Sequence, residues 1–72
     1  MRYSLDFRSG AEKEFDEAAK WYDARQAGLG NEFVIEVQNV FDEIALRPNR
    51  YPKVRGEMRE APVQRFPYAV YY

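Results

Sequence analysis

Cysteine and histidine are both absent from the 72 residues. Without cysteine there is no disulfide framework, and without either residue type no zinc site, so the core has to come from packing alone. The same absences exclude Ser-His and Cys-His nucleophilic pairs. Ser4 and Ser9 are the only hydroxyl side chains besides tyrosine. One falls in a strand pattern and the other at a helix start, so neither reads as a nucleophile. No apolar run approaches the ~20 residues of a membrane span. Arg2, Asp6 and Arg8 leave no room for the apolar region of a signal peptide. The expectation is a cytoplasmic protein with no membrane contact, no metal and no cofactor.

What is present is aromatic and unevenly charged. The length allows one domain, residues 1–72, at the small end of what folds unaided. Aromatics make up 17% of the chain, which helps, because each large ring buries ~150–250 Å². The net charge of −1 conceals a split: residues 1–46 carry five Lys/Arg against ten Asp/Glu, and residues 47–72 carry six against two. Such asymmetry reads either as a basic face for an anionic partner or as acidic helices packed beside a basic sheet.

Tyr3, Leu5 and Phe7 alternate with polar residues, which predicts a half-buried strand over 2–7. Ser9-Gly10-Ala11-Glu12 has the spacing of a capping box. Ala11, Phe15, Ala18, Ala19 and Tyr22 then recur at helical spacing, predicting a helix over 10–25 with Trp21 beside its apolar stripe. Two glycines in Gln26-Ala27-Gly28-Leu29-Gly30 break the helix by allowing positive φ. Phe33, Val34, Val37, Val40, Phe41, Ile44 and Ala45 form a second amphipathic run that Pro48 ends, with Ile35 off the stripe. The short connection makes the two helices an antiparallel hairpin. Residues 47–56 read as a loop dense in Arg and Lys. Over 58–66 a second strand is expected, at an edge, bulged or interrupted at Pro62 because proline lacks an N–H. Phe66-Pro67 turns the chain, and Tyr68–Tyr72 opens a third strand rich in aromatic and β-branched residues.

Candidate chemistry is narrow. Glu12, Glu14, Asp16 and Glu17 are simplest as the solvated face of an amphipathic helix. Gly28-Leu29-Gly30 is no phosphate loop, since no lysine follows at the required spacing and no G-x-G-x-x-G is completed. The basic, aromatic second half remains. Its cations and tyrosines can bind phosphates and stack bases. They could also serve a metal-free ribonuclease, with Arg59, Arg65 and Tyr68 as the catalytic candidates. The alternative for Tyr68, Tyr71 and Tyr72 is sheet packing. Trp21, Arg50, Lys53, Arg55, Arg59, Arg65 and Tyr71 are the candidate interface residues.

Several strings in this order resemble one family. Ala18-Ala19-Lys20-Trp21-Tyr22 with Gly28-Leu29-Gly30-Asn31-Glu32-Phe33 is similar to the helical hairpin of RelE/ParE-family toxins of bacterial type II toxin–antitoxin systems. Arg47-Pro48-Asn49-Arg50-Tyr51-Pro52 resembles them too, as does Arg59 followed by Arg65-Phe66-Pro67-Tyr68-Ala69-Val70-Tyr71-Tyr72. The resemblance covers the whole chain. It implies an α+β fold of order β-α-α-β-β, with the helical hairpin on one face of a small twisted antiparallel sheet. A cognate antitoxin would be the partner, and either DNA gyrase (ParE-like) or mRNA in the ribosome (RelE-like) the target. In RelE-like members basic residues stand on the second strand and just after the aromatic that opens the third. Glu60, Pro62 and Ala69 match those positions here, so the resemblance favours the ParE-like branch.

Family members continue past the point where this chain stops, which implies that the domain is incomplete at its C-terminus, with its last strand or strands missing. An inactive toxin that still binds antitoxin is then a third reading. The expected consequence is an open strand edge at Tyr68–Tyr72. A chain with that edge should pair with a second copy as a homodimer, bind its antitoxin, or aggregate.

Overall fold

Strand β1 runs Tyr3–Asp6, shorter than the alternation predicts. Asp6 ends it. Its carboxylate accepts from the Arg8 backbone N–H at 3.0 Å and starts a 3-10 turn over Phe7–Ser9, which Gly10 closes at φ 82°. Phe7 therefore leaves the strand but still packs on the core. The computed structural model describes residues 2–72, the Ser9 side chain excepted. The capping box thus rests on a side chain outside the described set. Helix α1 spans Glu12–Arg25 with Ala11 at the N-cap and no side-chain cap bond. Acidic Glu12 and Glu14 in its first turn suit the exposed N–H groups there.

Helix α2 spans Leu29–Leu46. The two glycines between the helices do different work. Gly28 takes the left-handed conformation, φ 89°, that reverses the chain. Gly30 is already helical, and its missing side chain serves packing: a Cβ there would overlap the backbone carbonyl of Ala19 on α1. Asp23 locks the corner, its Oδ1 accepting from the Gly28 N–H at 3.0 Å and the Gly30 N–H at 3.1 Å. A residue on α1 thus satisfies two donors at the start of α2.

The expected loop over 47–56 contains a strand. Strand β2, Lys53–Arg55, pairs antiparallel with β3, Met58–Pro62, across Gly56 at φ 54°. Strand β4 spans Tyr68–Tyr71. The sheet order is β1-β4-β3-β2, so the fold is α+β with the order β-α-α-β-β-β. The sheet is mixed rather than antiparallel, since β1 runs parallel to β4. A parallel pair cannot close through a tight hairpin, and the chain between β1 and β4 carries both helices, β2 and β3.

The position of β4 corrects the expectation of an open edge at Tyr68–Tyr72. Tyr3–Asp6 pairs with Tyr68–Tyr71 on one side, and Glu60, Ala61 and Pro62 pair with Tyr71, Val70 and Ala69 on the other. Tyr72 adds a reciprocal pair of backbone hydrogen bonds with Arg59, at 2.7 and 3.0 Å. Both flanks of β4 are used. The edge on which a homodimer was expected is thus already paired within the chain. The sequence missed this because a strand at one end of a chain can be completed by a segment at the other end. Pro62 is also resolved: β3 is an inner strand, but β2 pairs only with its Met58–Arg59 end, so the missing N–H leaves no ladder bond unmade.

Leu5, Val70 and Ala61 lie in register on one face and are fully buried. The helices cover this face with Ala18, Phe33, Val37 and Val40. Phe33 is the hub. Its ring meets Phe15, Tyr22, Phe66 and Tyr68 with centroids 5.7, 5.3, 5.2 and 5.0 Å away, geometries that each add ~0.5–1.5 kcal/mol beyond burial. The opposite face carries Ser4, Asp6, Met58, Glu60 and Tyr71, and no helix of the described residues covers it.

Candidate interaction surface

The three catalytic candidates are not brought together. Arg59 and Tyr68 lie toward opposite ends of the β3–β4 pair, because Arg59 bonds to Tyr72 while Tyr68 bonds to Val63. The Arg59 guanidinium donates to the carbonyls of Tyr51 at 2.5 Å and Asn49 at 3.4 Å. It holds the 47–52 loop against β3 through Nη1. Arg65 sits in the β3–β4 turn at φ 69°, a left-handed conformation rare for a side-chain-bearing residue. Its guanidinium reaches Glu32 at 2.5 Å and Glu36 at 3.7 Å on α2. The hydrogen bond and the charge of Glu32 hold Arg65 further in its charged form. Burial, then the nearby Tyr3, raises the Tyr68 hydroxyl above its ordinary range. Both effects favour the neutral phenol over the phenolate.

The interface candidates also separate. Arg50 pairs with Glu43 at 3.4 Å and lies over the Tyr51 ring, while Lys53 pairs with Glu57 at 3.0 Å. With Arg47 on Glu43 and Arg65 on Glu32, the basic second half is largely answered by carboxylates, three of them on α2. That pattern fits acidic helices beside a basic sheet. Arg55 and Tyr71 belong to the uncovered sheet face, where they line a hollow of about 450 Å³ with Ser4, Asp6, Val54 and Met58. Next to it the Tyr71 hydroxyl donates to Glu60 at 2.6 Å, and Arg2 approaches the same carboxylate at 3.6 Å. By strand alternation the three positions that resemble the RelE-like basic sites, Glu60, Pro62 and Ala69, share this face.

Trp21 belongs to a third surface that sequence reasoning did not find. It lines a groove of about 720 Å³ together with Tyr3, Tyr22, Tyr68, Glu14 and Glu17. Two of the rings are prominent: Tyr3 is 60% and Trp21 53% exposed. The floor is built by β-pairing, which sets Tyr3 beside Tyr68 with ring centroids 5.2 Å apart. Burial, then the neighbouring Tyr68 and Tyr3, raises the Tyr22 hydroxyl. The helical wall was legible in principle, because Glu14, Glu17 and Trp21 recur at i, i+3 and i+7 on α1. The strand wall was not, since nothing local places Tyr3 against Tyr68.

No group of three or more metal-ligating side chains stands together among the described residues. Among those residues no helix is long and apolar enough to cross a membrane. Compared with known proteins, the chain matches no family model, no curated protein and no solved structure.

Proposed function

We propose that the chain is a ParE-like toxin component of a type II toxin–antitoxin system, acting in the cytoplasm by docking on DNA gyrase and neutralised by a cognate antitoxin. The proposal starts from the resemblance of residues 18–33, 47–52 and 59–72 to that family. The observation that carries the choice of branch is Glu60. A carboxylate engaged with Tyr71 and Arg2 stands where a nuclease of this kind would need a cation to stabilise phosphate charge. Arg59 alternates away from the Glu60 face of β3 and is tied to loop carbonyls, and Arg65 is paired with helix carboxylates, which supports the same branch. A protein that works by docking needs surface rather than reacting groups, and the aromatic groove on α1 supplies it.

The test is induction of the intact gene in cells, followed on two readouts. Docking on gyrase gives stalled gyrase and an SOS response with translated mRNA intact. Rapid cleavage of mRNA in the ribosomal A site would remove the ParE-like reading in favour of a RelE-like endonuclease. Survival without either effect, with antitoxin binding retained, would identify an inactive toxin.

A further inference from the structure

The groove between α1 and the β1–β4 edge has a composition that selects its occupant. Four aromatic rings, Tyr3, Trp21, Tyr22 and Tyr68, line it together with Glu14 and Glu17. Neither carboxylate has an ion-pair or hydrogen-bond partner among the described residues, although most other carboxylates of the chain do. Ring faces carry partial negative charge, so rings and carboxylates attract the same thing: a cation. The chain already shows the preference at the groove's border, where the Arg25 guanidinium lies 4.2 Å from the centroid of the Trp21 ring. Arg25 is not among the residues that line the groove.

We propose that this groove is a docking site for a basic, amphipathic peptide segment of a partner protein, with an arginine or lysine of the partner seated between the rings and the Glu14–Glu17 pair. A small cation alone would leave most of the aromatic wall in water. The matching occupant carries apolar side chains for the rings and a cation for the carboxylates, and a peptide segment presents both. Tyr22 and Tyr68, as neutral phenols with raised pKa values, offer the partner hydroxyl donors and add no competing charge. The inference gives the chemistry of a partner under the protein-docking reading and rests on that reading only for the partner's being a protein.

The probe is a short fluorescein-labelled peptide of alternating leucine and arginine, titrated with the full chain and followed by anisotropy. Its control replaces every arginine by citrulline, which keeps the shape and removes the charge. The arginine peptide is expected to bind, and the citrulline peptide to bind about tenfold more weakly. E14Q/E17Q should weaken the arginine peptide by about tenfold, while E12Q/D16N, with the same loss of charge on α1 outside the groove, should leave binding within about twofold. Circular dichroism confirms that both variants are folded. Trp21→Ala should weaken the arginine peptide further.

Three results overturn the proposal. One is no binding of the arginine peptide up to about 1 mM. Another is equal loss in E14Q/E17Q and E12Q/D16N, which would mean long-range charge alone. The third is self-association of the free chain that E14Q/E17Q abolishes, which would give the groove to a second copy. None of these bears on the gyrase and mRNA readouts, so the groove and the toxin reading fail separately.

Discussion

Replacing Gly30 by alanine should destabilise the protein more than replacing Gly28, although Gly28 has the more unusual backbone. A Cβ at Gly30 would overlap the Ala19 carbonyl oxygen and lie 3.0 Å from Asp23 Cβ and 3.1 Å from Asp23 Oδ1. The nearest obstacle is helix backbone and cannot rotate away, so the hairpin has to open. Overpacking of this kind costs about 1–3 kcal/mol. Opening also stretches the two Asp23 hydrogen bonds at 3.0 and 3.1 Å, for about 1 kcal/mol each if lost. The gain in helix propensity, at most about 1 kcal/mol, offsets part of this. The net expectation is a loss of about 2–4 kcal/mol, or about 10–25 °C in Tm for a domain of this size. At Gly28 a Cβ meets nothing within 4 Å, so only the φ of 89° is penalised, at about 1–2 kcal/mol. Urea unfolding followed by far-UV circular dichroism measures both variants. A Gly30→Ala protein within about 0.5 kcal/mol of wild type, or less affected than Gly28→Ala, would refute the close-approach account.

Phe33→Ala removes the hub of the ring cluster and should cost about 3–5 kcal/mol, enough to leave much of so small a domain unfolded by near-UV circular dichroism. Arg65→Gly should melt several degrees above Arg65→Ala, because both lose the Glu32 contact but only glycine relieves the φ of 69°. Equal melting points would mean that the turn is not strained. The Tyr22 and Tyr68 hydroxyls are raised above the ordinary value of 10.0, first by burial and then by neighbouring tyrosines. Their contribution is therefore full below pH 10.0 and is lost as pH rises through the folded-state values. Stability should fall at alkaline pH along with phenolate absorbance, and Tyr22→Phe should blunt the fall.

Much of the fold was legible because it is local. The 3.6-residue stripe of Phe33, Val37 and Val40 and the two-residue alternation of β1 each report one element and the face it buries. The weak strand at Lys53–Arg55 was not legible. All three of its residues are exposed, so no apolar pattern marks it, and only pairing with β3 defines it. Gly30 looks like a turn residue in the sequence because glycine there looks the same whether it serves φ or contact. The candidate site fared less well than the fold. Trp21 was singled out as a ring at the edge of a helical stripe, and it does line the groove. Local pattern makes Tyr22 a core ring, Glu14 and Glu17 a solvated face, Tyr3 a strand position, and Tyr68 a strand position and catalytic candidate.

By itself, then, the sequence determined the two helices, their hairpin, the apolar faces and the lack of His and Cys chemistry, since each depends on residue types and short spacings. Tertiary structure alone decided the rest. It put β1 beside β4, which closed the edge that Tyr68–Tyr72 was expected to leave open. It turned Arg59 and Arg65 from free cations into ties to a loop and to a helix. And it assembled an acidic aromatic groove from residues as far apart as Tyr3 and Tyr68. The physical reason is that β1 and β4, Arg65 and Glu32, and the two walls of the groove are brought together from distant parts of the chain, and no window of neighbouring residues contains those pairings.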